Sequence, residues 1–306
     1  MRNILITGGA GFIGSHVLNI LNKEKDCHIT ILDNLSTGSE SNIPSGMEFI
    51  KGDICDKNLK DIFKGKHFDV LIHLAAQTMV PFSVEHPDID ADINILGLIN
   101  IMEIARGCGV KNVVFSSSAA VYGDNTNLPL KEEEELLPTS FYGITKMMTE
   151  HYLRVYADIY NINATVLRFA NVYGERQGAS GEGGVIFIFC KKLALGDDLV
   201  IFGDGKQTRD FVYVGDVAKA IVNATQDQGY NVYNVSTNTE ISINDLVTSL
   251  IKTAGKKVNV LYEEPRTGDI FRSSLDNSKL VEKQKIKSFI SLEEGLGNTY
   301  KYFENL

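Results

Sequence analysis

The opening residues restrict this chain to very few folds. A strand-like run, Asn3-Ile4-Leu5-Ile6-Thr7, leads straight into Gly8-Gly9-Ala10-Gly11-Phe12-Ile13-Gly14. Gly8 allows a tight turn, Gly11 lets the backbone approach a pyrophosphate, and Gly14 lets a helix pack close to the strand. A helix opening near Phe12 turns its N–H groups and positive dipole end toward the phosphates. The next strand-like run, His28-Ile29-Thr30-Ile31-Leu32, ends in Asp33. A carboxylate there accepts hydrogen bonds from ribose hydroxyls and repels a 2′-phosphate, which favours NAD over NADP. Strand, loop, helix and acidic strand end, in that order, outline a dinucleotide site.

With 306 residues the chain has room for one large domain, or a domain with an appended lobe. Apolar residues make up 43% and charged residues 23%, as in soluble globular proteins. The net charge of -9 and the lack of Lys/Arg clusters argue against nucleic acid as a partner. An anionic small substrate would need local arginines, because the global field opposes it. No apolar run is long enough to span a bilayer, so no membrane association is expected. The first residues already read as a strand, so no signal or transit peptide is expected. Cys27, Cys55, Cys108 and Cys190 lack C-x-x-C spacing and read as reduced thiols of a cytoplasmic protein. The histidines form no H-x-x-x-H or H-x-H pair, so no metal site is expected.

Short apolar runs alternate with longer amphipathic ones. The pattern predicts strands at 3–7, 28–33, 47–53, 70–75, 113–118, 164–169 and 230–236. It predicts helices near 12–24, 57–64, 89–107, 143–160, 185–195, 215–226, 243–254 and 292–304. Val70-Leu71-Ile72-His73-Leu74-Ala75 is apolar on both faces, as a buried parallel strand is. The alternation implies right-handed crossovers and a Rossmann-type α/β fold, a doubly wound parallel sheet of about seven strands. Ligands of such sheets bind at the carboxyl ends of the strands. After about residue 170 the rhythm weakens, and Gly174 to Gly184 reads as a flexible loop. Residues 1–170 with about 214–236 are therefore read as the NAD-binding domain. About 171–213 and 237–306 are read as a smaller, discontinuous α/β lobe for substrate. The run Lys131-Glu132-Glu133-Glu134-Glu135 reads as a solvated loop.

The run Asn112 to Ser118 ends in hydroxyls, Ser116-Ser117-Ser118, at a strand edge where substrate should sit. Further on comes Tyr142-Gly143-Ile144-Thr145-Lys146. The i, i+4 spacing puts Tyr142 and Lys146 on one helical face, one turn apart. A free phenol titrates near ~10 and is a poor base at neutral pH. An adjacent ammonium and a positive nicotinamide ring favour the phenolate and bring it toward the operating pH. Lys146 could also bond the nicotinamide ribose, and Ser118 the reacting oxygen.

On these residues the chain resembles the extended short-chain dehydrogenases/reductases of the NAD-dependent epimerase/dehydratase family, most specifically the UDP-glucose (UDP-galactose) 4-epimerases. The resemblance runs almost end to end, through Thr7 to Gly14, Asp33-Asn34-Leu35, Gly52-Asp53-Ile54, Leu74-Ala75-Ala76-Gln77 and Ser116 to Gly123. It continues through Tyr142 to Lys146, Leu167 to Gly174, Thr208 to Val214 and Pro265-Arg266-Thr267-Gly268-Asp269. It implies that Asp53 and Ile54 flank the adenine, and that Ala75, Ala76 and Asn94 line the cofactor channel. Phe12, Ile13, Asn34, Leu74, Gln77 and Ser116 join them as cofactor-site residues. Asn171 is implied to touch a UDP-sugar, Arg209 and Arg266 to grip its diphosphate, and Asp269 to reach the uridine ribose. Bidentate guanidinium contacts suit phosphate oxygens in an otherwise acidic protein. Ser273 falls where the family carries a size gate, and a small residue there resembles enzymes that admit N-acetylated sugars.

Fold alone does not choose among the reactions this family runs. The 4,6-dehydratases resemble one another in a Thr-Asp-Glu run where this chain has Ser118-Ala119-Ala120, so elimination lacks its acid and base. The expected reaction is inversion at carbon 4: Tyr142 removes the 4-hydroxyl proton, NAD takes hydride, and a 4-keto sugar turns before hydride returns. UDP-glucuronate 4-epimerases and decarboxylases are the nearer rivals, with Arg176 and Arg272 as candidate partners for a carboxylate. A non-catalytic dinucleotide sensor is the reading from another class, and the retained Tyr/Lys pair opposes it. Surplus apolar residues in the stretches near 89–107 and 143–160, such as Ile95, Leu98, Ile99, Ile101, Met102, Met147, Met148, Tyr152, Leu153 and Val155, suggest a homodimer.

Overall fold

Residues 1–178, 183–265 and 270–306 are described by a computed structural model. Its strands are β1 (Arg2–Thr7), β2 (Cys27–Asp33), β3 (Glu48–Lys51), β4 (Val70–His73), β5 (Asn112–Ser118), β6 (Asn163–Phe169), β7 (Asn171–Tyr173), β8 (Leu199–Phe202), β9 (Thr208–Arg209), β10 (Phe211–Tyr213), β11 (Tyr230–Val235), β12 (Ile241–Ser242) and β13 (Val260–Glu263). Its helices are α1 (Phe12–Leu21), α2 (Leu59–Ile62), α3 (Val80–Glu85), α4 (Pro87–Ala91), α5 (Gly97–Gly107), α6 (Phe141–Tyr160), α7 (Val185–Leu195), α8 (Val214–Ala224), α9 (Ile243–Ala254), α10 (Ser278–Gln284) and α11 (Leu292–Glu304). Two compact units result: Met1–Asp124 with Glu133–Phe169 and Ala218–Tyr233, and Asn125–Glu132 with Ala170–Val217 and Asn234–Leu306.

The first unit is built on a seven-stranded sheet in the order β11-β6-β5-β4-β1-β2-β3. The pairings from β6 through to β3 are all parallel. The order reverses direction at β1, between β4 and β2, which is the switch point where open α/β sheets take ligands. Period-two alternation sends Leu5, Leu32, Leu71, Val113 and Val166 to one face, where they join Leu98, Ile101, Met102 and Leu153 in a buried cluster. Each fully buried aliphatic side chain of this kind contributes about 1.5–3 kcal/mol. Helix α6 begins at Ser140, whose Oγ accepts from the Gly143 N–H at 3.1 Å. It ends at Asn161, in the left-handed conformation common at helix ends.

Two local differences from the sequence expectation have clear causes. The helix expected near 89–107 is three pieces: α4, a π-helical segment Asp92–Leu96, and α5. The wide turn centres on Asn94, whose side chain is only 4% exposed and bonds inward; periodicity carries no sign of such a bulge. Helix α3 was not expected at all. It is a single short turn-and-a-half with Pro81 near its start, too short to show a period.

Among the described residues, the second unit has no extended sheet. Its strands pair two by two, β7 with β10, β8 with β13 in parallel, and β9 with β12 antiparallel. Tyr173, Phe189, Leu193, Leu199, Ile201, Phe211, Leu246, Leu250 and Leu296 form its core. Among the described residues, no helix is long and apolar enough to cross a membrane, and no group of three or more His, Cys, Asp or Glu could hold a metal ion.

At Gly14 the helix and the glycine loop approach each other closely through their backbones. A Cβ there would overlap the Gly8 carbonyl oxygen and lie 2.7 Å from the Gly9 Cα. Neither neighbour is a movable side chain, so loop and helix would have to part. Gly14→Ala should lower stability by about 1–3 kcal/mol in denaturant unfolding. Gly107→Ala, with open space around its Cβ position, should cost nothing in the same measurement.

Candidate active site

The strand register brings the marked residues to one sheet edge. Thr7, at the end of β1, lies opposite Leu32 of β2 and His73 of β4, and His73 lies opposite Phe115 of β5. Gly8, Asp33, Leu74 and Ser116 therefore follow at the same carboxyl edge. Gly8 has φ +71°, and its N–H donates to the Leu32 carbonyl at 3.0 Å. A Cβ at this position would sit 2.6 Å from the Ala75 nitrogen. Gly11 is the N-cap of α1 and supplies no side-chain acceptor, so the helix presents its N–H groups to whatever anion lies ahead of it. Phe12 and Ile13, half-buried, form the first turn. This cradle, which a single methyl would fill, fits a dinucleotide pyrophosphate.

Asp33 is 8% exposed and already organises the loops. Its Oδ2 accepts from the Ala10 N–H at 2.9 Å and its Oδ1 from the Leu35 N–H at 2.8 Å. Each oxygen keeps a further lone pair for a ribose hydroxyl. Asn34 donates to Asp53 Oδ2 at 2.8 Å, linking the ends of β2 and β3. Burial pushes the Asp53 carboxyl up, but the Cys55 N–H at 2.8 Å and the Asn34 amide outweigh it and hold the group below its ordinary value. Ile54 is 6% exposed and belongs to the apolar cluster, packed on Gly97. Two residues escape a reading of the sequence. Gly38 passes so close that a Cβ would lie 2.7 Å from the Ala10 carbonyl carbon, and Asn42 donates to the Ala10 oxygen at 2.9 Å. The only signal was a glycine within a Ser-rich stretch.

Ala75, Ala76 and Gln77 continue beyond β4 and are half-buried. Asn94 Oδ1 accepts from the Gln77 N–H at 2.9 Å, and its amide donates to the Gln77 carbonyl at 3.1 Å. Asp90, fully buried, accepts from the Gln77 amide, from Asn94 at 3.2 Å and from the Thr145 hydroxyl at 2.7 Å. Asp90 was not singled out in the sequence, because an isolated acid in a polar stretch carries no signal. It ties the loop after β4 and the π-helical segment to α6.

On α6, Tyr142 and Lys146 both point inward. Lys146 is 3% exposed; its Nζ donates to the Ser116 carbonyl at 2.9 Å and lies 4.9 Å from the centre of the Phe115 ring and 5.9 Å from that of Tyr142. The Tyr142 N–H donates to Ser83 Oγ at 3.1 Å, which ties α6 to α3. Ser118 Oγ accepts from the Ala120 N–H at 3.2 Å, which leaves its proton to donate. His73 is fully enclosed and bonded to the Thr7 hydroxyl at 2.7 Å. Burial, helped by the nearby Lys146 charge, pushes it down to about 3, so the imidazole is neutral at physiological pH.

In the second unit, β7 and β10 set Asn171 opposite Phe211, with the Asn171 side chain exposed. Arg209 and Asp210 alternate faces, as strand neighbours do. Arg209 is half-buried and donates to the Thr208 carbonyl at 2.8 Å. Asp210 turns inward and accepts from the Thr237 N–H at 2.9 Å and hydroxyl at 2.8 Å; burial holds its carboxyl above the usual range despite those bonds. Ser273 is half-buried between two fixed points: Phe271 accepts from the Thr208 N–H at 2.9 Å, and Ser274 accepts from the Leu130 N–H at 2.9 Å. Arg272 holds Glu240 in a bidentate pair at 2.6 and 2.9 Å. Arg176 is half-buried with φ +68°, and burial lowers its pKa. Arg266 and Asp269 lie outside the described residues, as does Ala179 to Glu182 of the expected loop.

Residues 4–236 match the model of the NAD dependent epimerase/dehydratase family. A relative from Methanocaldococcus jannaschii, provisionally named a UDP-glucose 4-epimerase, is 44% identical over 99% of this chain and 98% of its own. The crystal structure of UDP-glucose 4-epimerase from Thermotoga maritima, with UDP-glucose, is 41% identical and superposes with a TM-score of 0.95 over 99% of each chain. A UDP-N-acetylglucosamine 4-epimerase from Methanobrevibacter ruminantium, in complex with UDP-N-acetylmuramic acid, is 37% identical with a TM-score of 0.93, over 99% of this chain and 98% of that one. With its glycine cradle, its Tyr142–Lys146 pair and these relatives along its whole length, this chain belongs to the NAD-dependent epimerase/dehydratase family.

Proposed function

We propose that this chain is a UDP-hexose 4-epimerase, an isomerase that inverts carbon 4 of UDP-glucose and UDP-galactose and also admits the N-acetylated pair. The observation that supports the reading is that Lys146, one turn after Tyr142 on α6, bonds Ser116 of β5, the strand that ends in Ser118, at the sheet edge that also holds the glycine cradle. NAD is the cofactor of the family. Gly8, Gly11, Gly14, Asp33, Asn34 and Asp53 are assigned to its adenosine and phosphates, and Ala75, Gln77, Asn94, Ser116 and Lys146 to its nicotinamide half. When bound, it accepts hydride from carbon 4 and returns it to the other face of the ring.

The residues of the chain do the rest. The buried ammonium of Lys146 favours the Tyr142 phenolate, which takes the 4-hydroxyl proton and later gives it back. Ser118 donates its proton to the same sugar oxygen. Asn171, Arg209, Arg266 and Asp269 are assigned to the sugar nucleotide, holding diphosphate and uridine while the 4-keto sugar turns. Binding energy remote from the reacting carbon thus retains the intermediate. Among the rivals, a uronate needs a cation for its extra carboxylate. Of the two candidates, Arg272 already carries Glu240 of the same chain, which leaves the uronate reading resting on Arg176.

We also read the protein as a cytoplasmic homodimer of galactose metabolism. All four cysteines are free thiols, as a reducing compartment keeps them. Leu98, Ile101, Met102 and Leu153 are spent in the monomer core, and Ile95, Ile99, Met147 and Met148 are partly covered. Ile89, Leu96, Ile144, Tyr152, Val155, Ile159 and Tyr160, between 39% and 66% exposed, are the large apolar side chains these stretches leave for a partner copy.

Tyr142→Phe should lower kcat by about 10^2–10^4-fold in a coupled UDP-galactose to UDP-glucose assay while NAD stays bound; full activity would remove Tyr142 as the base. Ser273→Tyr should lower turnover of the N-acetylated sugar relative to the plain one by roughly tenfold or more, the scale of a steric pocket change. An unchanged ratio of kcat/KM values would remove Ser273 as a gate.

A further inference from the structure

Two turns beyond Tyr142 on the same face of α6 stands a second buried charge, Glu150, 4% exposed. Arg168 of β6, also 4% exposed, forks onto it through Nη2 at 2.7 Å and Nε at 3.1 Å. Ser117 of β5 donates to the same carboxylate. Arg168 Nη1 donates to the Tyr122 hydroxyl at 2.9 Å, and the guanidinium lies 4.9 Å from the centre of the Tyr122 ring. A buried ion pair of this kind gives little net stability over apolar residues of the same volume. Its position points to another role.

Residues 142, 146 and 150 recur at i, i+4 and i+8, so their side chains line one stripe. At 1.5 Å per residue, Glu150 stands about 6 Å from Lys146 and about 12 Å from Tyr142 along the axis. An uncancelled carboxylate there would oppose formation of a second anion at Tyr142. Uncharged groups also face the stripe: neutral His73 from β4, Ser116 and Ser117 from β5, and Ser83 from α3. Asp90 from α4 takes three bonds from neutral donors, which do not cancel a carboxylate's charge, and it is common to every variant in which Glu150 or Arg168 is replaced; the Tyr230 hydroxyl from β11 donates to the Glu150 carbonyl at 3.2 Å.

We propose that Arg168 and Glu150 are positioning residues that bolt α6 to β5 and β6 as a charge-cancelled pair, so that neither of their charges works against or adds to that of Lys146 at the Tyr142 phenol. This rests on the reading of Tyr142 as the base. The test is a pH titration of phenolate ultraviolet absorbance in the intact protein, with Tyr142→Phe subtracted. Glu150→Gln leaves the Arg168 charge in place, since a guanidinium does not lose its proton. At an effective dielectric near 20, a unit charge about 12 Å away moves the Tyr142 midpoint down by about one pH unit. Glu150→Gln with Arg168→Gln restores the wild-type midpoint. A midpoint that Glu150→Gln leaves unmoved or raises, or a shift that persists in the double variant, overturns the proposal. If the single variant does not fold, a double variant displaced from wild type by more than about half a pH unit overturns it. A fully active Tyr142→Phe would instead overturn the reading of the base, whichever way the midpoints fall.

Discussion

A protonated amine held at 3% exposure has given up nearly all its water, and the place where Lys146 does so governs the first unit. Burying a charge is tolerable only where hydrogen bonds replace the lost solvent. Lys146 obtains one from the Ser116 carbonyl and lies over the Phe115 ring, so both partners come from β5. That fixes the rotation of α6 about its own axis, and with it the direction of Tyr142 one turn earlier and of Glu150 one turn later. The cap at Ser140 sets where the helix starts, and the Glu150–Arg168 fork sets its distance from β6.

The remaining polar groups of this edge are connected rather than scattered. Thr7 bonds His73, and the Ala75 N–H donates to Thr7 at 3.3 Å. Ser116 donates to the His73 carbonyl at 3.3 Å. The glycine cradle after β1 is thus joined through β4 to the strand that holds Lys146. A second chain of bonds, from Gln77 through Asn94 and Asp90 to Thr145, joins the loop after β4 to α6. Satisfied buried networks rigidify what they connect, and here both connect the cradle region to the helix carrying the proposed base.

Much of this was legible in the sequence. The strands of the main sheet read out within a residue or two at most ends, because parallel strands buried on both faces leave uninterrupted apolar runs. The cradle read out because Gly8 and Gly14 answer a steric demand that only glycine meets. The Tyr142–Lys146 pair read out because its spacing matches one helical turn. The small strands β7, β9, β10 and β12 did not: two or three residues cannot display a period. The π-helical segment, the close pass of Gly38 and the buried Asp90 were equally silent, since each depends on residues far away in the chain.

The sequence by itself determined the architecture, the cofactor class and the chemical types gathered at the sheet edge, since local periodicity, glycine sterics and side-chain chemistry are written residue by residue. Tertiary structure alone decided which apolar residues of the helical stretches are spent in the core, with Leu98 and Ile101 buried and Val155 and Ile159 exposed. It alone decided that Arg272 is occupied by Glu240, and that Glu150 meets Arg168. Those outcomes turn on the direction a side chain takes relative to partners between 18 and 32 positions distant. A linear pattern holds no record of such distances until the chain has closed upon itself.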